Sequence, residues 1–432
     1  MRGDRMGLGG AAALAAAALA AVLAALLVAG GTRAFPAQPQ GAAQPDAAPS
    51  APPPVRKPRD LKTVAIHYVE RRIERPAPRN NEDPLPDDQG LRGAELGVAD
   101  SNASGRFVGL RFDLKPTVVE PGADIAAAFA EIAAREAPRF VVVNAPAADL
   151  LALADSPAAK DVVIFNVSAT DTRLRDADCR ARVLHVIPSR DMLADALMQF
   201  LTFKRWMRIL LVAGPSEGDR LYAEAVRRSA RKFGLRIVEE KTFDARGADI
   251  RDSATDELTL ATRGPEHDVV AVADEADEFG DALPYNTASP RPVVGTHGMT
   301  PAAWGGPVEA WAAVQLQDRF KKLAGRRMDS VDYSGWMAVH AVGEAAVQLK
   351  SADTAAISRL LFDDTFEVGG FKGRALSFRG WNGQLRQPVY LLWPGAVVAT
   401  APIEGFLHQR TEMDTLGLDQ PESACKAMKG RA

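Results

Sequence analysis

"RILLVAGPSEGDRLYAEAVRRSARKFGLRIVEEKTF" runs from Arg208 to Phe243. Residues 208–214 form an apolar run suited to a strand buried on both faces. Residues 217–234 read as an amphipathic helix closed by Gly234. Residues 235–243 read as a second strand. A strand, a helix of this length and another strand imply parallel pairing through a right-handed crossover.

The same alternation extends in both directions. Upstream, strands are predicted at 63–69, 106–114, 139–145 and 161–169, and helices at 88–105, 123–136 and 190–204. Ser189 suits the N-cap of the last helix. Downstream come a helix at 250–263 and a strand at 268–274. One such run precedes residue 188 and another follows it, which predicts an α/β protein of two lobes. The C-terminal third differs. Long amphipathic helices are expected at 302–325 and 332–350. A β-rich stretch at 366–400 has turn signals at Gly369-Gly370, Asn382-Gly383 and Pro394-Gly395. This order predicts a first lobe of 61–187 plus 300–362 and a second of 188–299 plus 363–410. Residues 411–432 form a tail.

The N-terminus reads as an address. Arg2 and Arg5 precede an apolar, Ala-rich run that ends in small residues, the pattern of a secretory signal over 1–34 with cleavage near Ala34. An uncleaved anchor is the alternative, because the run is about 20 residues long. Residues 35–60 are rich in Pro, Ala and Gln and read as a disordered linker. Export permits a disulfide. The chain has 2 cysteines, Cys179 and Cys425, and the expectation is that they pair rather than remain free buried thiols.

Composition excludes some functions. Fifty-five acidic residues against 52 Lys and Arg give a formal net charge of −3. No basic tract with interleaved aromatics is present, so nucleic acid is not an expected partner. G-x-S-x-G, H-E-x-x-H and C-x-x-C are all missing, which lowers the case for an enzyme. "VAGPSEGDR" lacks the glycines and lysine of a phosphate loop and reads as a strand-to-helix turn. No cofactor is expected.

One loop carries concentrated charge. The buried-strand pattern at 268–274 runs into "DEADEFGDALPY", with Asp274, Glu275, Asp277, Glu278 and Asp281. These acids could hold a metal, line a pocket for a cationic or hydroxyl-rich solute, or be solvated. A hard cation needs about six converging oxygens, and Ala276 spoils an EF-hand register. The pocket reading is favoured for Asp274 and Glu275, and the solvated reading for the other three. Whether a metal binds is left open.

"QGLRGAELGVADSNASGRFVGLRFDL", "CRARVLHVIPSRDMLADAL" and "DYSGWMAVHAVGEAAVQL" resemble type I periplasmic binding proteins of the leucine/isoleucine/valine class. "DEADEFGDALPYNT", "FKGRALSFRGWNGQLRQPVYLL" and "GFLHQRTEMDTLGLDQPESAC" resemble a subgroup of ABC-transporter substrate-binding proteins. That subgroup is associated with pyrroloquinoline-quinone (PQQ)-dependent alcohol dehydrogenases. The resemblance implies two Rossmann-like lobes with parallel sheets, three inter-lobe crossings and a ligand in the cleft. It implies a non-enzymatic periplasmic protein that serves an ABC permease and ATPase. Membrane contact would come only through the permease or an uncleaved anchor. A periplasmic sensor or accessory protein of the dehydrogenase system, one that could handle a metal or metal chelate, is the alternative. The first-lobe ligand contacts would be Ser168, Ala169 and Thr170. Second-lobe contacts would be Ser216, Glu217, Asp274 and Glu275. The class carries an aromatic residue in the turn where this chain has "PSEG", which puts an ordinary branched-chain amino acid in doubt.

Overall fold

The computed structural model describes residues 61–74, 85–244 and 254–428. The expected signal segment and linker lie outside the described residues, as do 250–253 at the start of one expected helix.

Two parallel sheets organise the described chain. The first contains β1 (Lys62–Arg71), β2 (Leu110–Val119), β3 (Phe140–Asn144), β4 (Val163–Asn166) and β5 (Val183–His185), in the order β2-β1-β3-β4-β5. The helices between them are α1 (Leu91–Val108), α2 (Ile125–Glu136) and α3 (Ala147–Asp155). The second sheet follows α4 (Arg190–Lys204). It contains β6 (Arg208–Ala213), β7 (Arg236–Thr242), β8 (Val269–Ala273) and β9 (Val293–Gly295), in the order β7-β6-β8-β9. Helices α5 (Glu217–Phe233) and α6 (Ala254–Ala261) connect its strands. All pairings within these two sheets are parallel.

Both sheets are covered on both faces, so their strands carry unbroken apolar runs. In β3, Phe140 and Val142 enter one first-lobe core while Val141 and Val143 enter the other. In β6, Ile209 and Leu211 face α4 and α5, and Leu210 and Val212 face Leu258 of α6. The period-two alternation of strand side chains divides each sheet between two cores.

The remaining elements are β10 (Thr300–Ala302), α7 (Ala313–Ala324), α8 (Ser330–Leu349), α9 (Thr354–Leu361), β11 (Val368–Gly369), β12 (Ala375–Phe378), β13 (Leu385–Arg386), β14 (Val389–Trp393) and β15 (Ala396–Ala401). Strands β11–β13 form one small antiparallel sheet, and β10, β14 and β15 another.

Three expected boundaries move. Helix α1 continues to Val108, and Gly109, at φ 80°, supplies the left-handed residue that ends it, so the strand begins at Leu110 rather than 106. Helix α7 begins at Ala313; residues 303–312, with Gly305-Gly306-Pro307 among them, are not helical. The last return to the second lobe was expected at 363. Phe366, Val368, Leu376, Phe378 and Leu385 are instead buried in the first-lobe core, and Val389 and Leu391 in the second, so the chain crosses between Arg386 and Val389.

Buried polar side chains tie the crossings together. Lys372 donates to Ala303 O, Gln387 Oε1 and Pro388 O, and Gln387 Nε2 donates to Val186 O. Burial holds the Lys372 ammonium well below its usual pKa. Behind the crossings runs the tail. Asp414 accepts from Arg379 and Arg386, Leu416 enters the second-lobe core, and a disulfide joins Cys425 to Cys179 of the first lobe.

Candidate functional site

Open parallel sheets bind ligands beyond their carboxyl strand ends, where the strand order reverses. Here β1/β3 and β6/β8 are those points. Residues 145–148 after β3, 168–171 after β4, 217–218 in α5 and 295–297 at the end of β9 line one cleft of about 960 Å³, with Asp274, Glu275 and Asp277 after β8.

The first-lobe wall is held from behind. Asn166, buried at the end of β4, accepts from Ala169 N–H at 2.9 Å and donates to Ala169 O at 2.8 Å. Buried Arg175 donates to Ala169 O, Asp171 O and Ile187 O. Burial pulls its guanidinium down to about 9. With the loop fixed by these groups, its outward donors remain lightly engaged. Ser168 Oγ makes a 3.3 Å bond to Ala145 O, and the Thr170 hydroxyl has no hydrogen bond among the described residues. Helix α3 starts beside them. Pro146 is its N-cap and supplies no side-chain cap, so the first-turn N–H groups carry the positive helix end into the cleft wall.

The second-lobe wall is acidic, and its carboxylates are engaged. Asp274, 1% exposed, accepts from the N–H groups of Glu278, Phe279 and Gly280 at 2.7–3.0 Å. Glu275 receives both Nε and Nη2 of Arg190, at 2.8 and 2.6 Å. A Cβ on Gly218 would stand 2.7 Å from Glu275 Oε2, so the glycine of "PSEG" lets this carboxylate lie against the first turn of α5. Arg190 Nη1 stands 3.1 Å from Asp171 of the first lobe. His297 Nε2 faces Asp277 at 3.0 Å and Asp281 at 3.4 Å.

The comparisons with known proteins agree with this geometry. The periplasmic binding protein family profile matches residues 87–393. The chain belongs to the periplasmic binding protein family. Among curated proteins no sequence relative matches it. A branched-chain amino acid ABC transporter periplasmic ligand-binding protein from Burkholderia xenovorans is 14% identical; the match covers 85% of this chain and 100% of that one, with a TM-score of 0.62. A leucine-, isoleucine-, valine-, threonine- and alanine-binding protein from Brucella ovis, in a closed conformation, is 14% identical, with coverage of 84% and 98% and a TM-score of 0.62. A solute-binding protein from R. palustris in complex with benzoate is 11% identical, with coverage of 84% and 100% and a TM-score of 0.61. At such identities the likeness concerns the fold. Members of this family bind rather than transform, and this binding protein is not an enzyme. Among the described residues no helix is long and apolar enough to cross a membrane.

Six of the seven expected contact residues line the cleft of the binding protein: Ser168, Ala169, Thr170, Glu217, Asp274 and Glu275. Ser216 does not. Its hydroxyl accepts from Asp219 N–H while Asp219 Oδ2 accepts from Ser216 N–H, a reciprocal cap of α5. Asp274 and Glu275 were read as carboxylates available to a cationic or hydroxyl-rich solute; backbone amides and Arg190 engage them instead. Asp277 is solvated as expected, its side chain 63% exposed, while His297 Nε2 stands 3.0 Å from it and 3.4 Å from the part-buried Asp281. Sequence reasoning missed Arg190, Tyr222 and His297. Arg190 had a signal, being the first helical residue after a lobe crossing.

Proposed function

We propose that this chain is the periplasmic solute-binding component of an ABC transporter. It captures a small ligand between its lobes and delivers it to a permease and ATPase. The observation that carries this reading is the convergence of loops from both sheets on one cleft. Relatives of the same fold carry branched-chain amino acids or benzoate, so the scaffold accommodates small carboxylates of different kinds. The link to a PQQ-dependent alcohol-oxidation system rests on the resemblance of 274–287, 371–392 and 405–425. The periplasmic location rests on the family and on the signal pattern at 1–34. Native mass spectrometry of protein purified from its own periplasm tests the reading. A single small molecule at one per chain, with a mature N-terminus near residue 35, is expected. Protein that carries nothing, and whose scattering profile does not contract with any periplasmic extract, would overturn it.

A second reading is an accessory protein that handles a metal ion or its chelate. One observation favours it: ligand atoms of Asp274, Asp277 and His297 lie within 4.8 Å of one another. A saturable rise in melting temperature at one calcium, lanthanide or zinc ion per chain, abolished in His297→Ala, is the expected signature. No shift with any of the three ions rejects it.

A further inference from the structure

The cleft has unequal supplies of donors and acceptors. Each of its six carboxylates faces a partner. Asp274 holds three backbone amides, Glu275 and Asp171 flank Arg190, Glu217 pairs with Arg220, and Asp277 and Asp281 face His297. Arg190 in effect occupies the place beside Glu275 that a ligand ammonium would need.

Donors, in contrast, are left over. Arg190 is 8% exposed and Tyr222 3% exposed, and both line the cleft. The Tyr222 hydroxyl is a buried atom with no hydrogen-bond partner among the described residues, and Arg190 Nη1, also buried, faces Asp171 Oδ2 at 3.1 Å in an ion pair without making a well-directed hydrogen bond. A buried donor without a well-directed acceptor is unfavourable, so a bound group that accepts from both is favoured. On the other wall the uncapped start of α3 and the Thr170 hydroxyl also offer donors. Leu193, Leu221 and Val331 supply apolar surface between them.

We propose that the cleft selects a small hydroxy- or oxo-carboxylic acid and rejects the matching amino acid. The carboxylate meets α3 and Thr170, and the hydroxyl or carbonyl oxygen accepts from Arg190 Nη1 and Tyr222. The proposal rests on reading the cleft as a solute site. Glu275 does not meet the ligand; it holds Arg190, and Gly218 gives it room. An ammonium at the same place would meet a guanidinium and a phenol donor with no free carboxylate.

Titration calorimetry with four probes tests this: 2-oxo-4-methylpentanoate, 2-hydroxy-4-methylpentanoate, L-leucine and putrescine. The three acids share a carbon skeleton and differ at C2. The oxo or hydroxy acid is expected to bind at least tenfold tighter than leucine, with no heat from putrescine. Leucine or putrescine binding tightest, or neither amine-free acid binding at millimolar concentration, would overturn the proposal. Arg190→Met frees Glu275 and should reverse the order, strengthening leucine and weakening the oxo acid at least tenfold. If that variant does not fold, Glu275→Gln decides: a loss of oxo-acid affinity of less than tenfold is expected, because the amide oxygen still accepts from Arg190, and a loss beyond tenfold contradicts the assignment. The broader reading fails separately. An amine found in the native protein by mass spectrometry would overturn this inference and leave solute binding intact.

Discussion

The two walls of the cleft are built from the same parts, loops at strand ends next to helix starts, and treat polar groups in opposite ways. In the first lobe, Asn166 and Arg175 satisfy the loop from behind, and Thr170 and the start of α3 remain available in front. In the second lobe, the exposed-looking acids are themselves the satisfying groups, with Asp274 closing its own loop and Glu275 fixing Arg190. A carboxylate at a strand end is therefore not evidence of a ligand cation until its partners are known. One wall is arranged for binding, the other largely for holding the binding residues.

That contrast fails first if Asp274 is dispensable. Asp274→Ala leaves two buried N–H groups and one part-buried N–H without this acceptor, each buried one costing about 1–3 kcal/mol, so a loss of about 4 kcal/mol is expected in urea denaturation. Thr170→Val, on the opposite wall, should change stability by less than about 0.5 kcal/mol. Equal effects from the two variants would erase the distinction.

Asp191, next to Arg190, sharpens it by being a carboxylate whose partners do not suffice. Burial outweighs Arg228 and raises its pKa from 3.8 to about 6. A raised carboxylate pKa means that the folded state binds more protons between those values. Its contribution is present below about pH 4 and is lost as pH rises through 6. Relative to Asp191→Asn, the wild type should lose about 3 kcal/mol of stability across that window. Parallel stability curves would show that burial does not raise the Asp191 carboxyl.

A smaller effect is expected on the binding wall. Ser168→Ala with Thr170→Val removes two donors, each contributing about 0.5–1.5 kcal/mol, and should weaken 2-oxo-4-methylpentanoate by about 1–2 kcal/mol without altering the melting temperature. Calorimetry on the folded variant checks both parts. A fall in stability instead of affinity would make this wall structural as well.

Much of the frame was legible in the sequence because strands buried on both faces leave unbroken runs, as at 208–214 and 268–274. The two lobes and the strand-end position of Ser168 and Asp274 followed from that. Ser216 was misread although "SEGD" spells a reciprocal cap with Asp219, a pattern that residue spacing alone reveals. The boundary at 363 was missed because strands β11–β13 are short and their burial depends on α8, which packs from elsewhere in the chain. Pairing was the least legible. Arg190 and Glu275 are 85 positions apart, and nothing local in either stretch announces the other.

That pair joins the acidic wall to the binding residues. A double-mutant cycle with Arg190→Met and Glu275→Gln, followed by chemical denaturation, measures whether the two side chains serve each other. A coupling of at least about 1 kcal/mol is expected, with the double variant more stable than the sum of the single losses allows. Additivity within about 0.3 kcal/mol would mean that Glu275 is free to meet a ligand cation, contradicting the claim that the acidic wall is internally engaged.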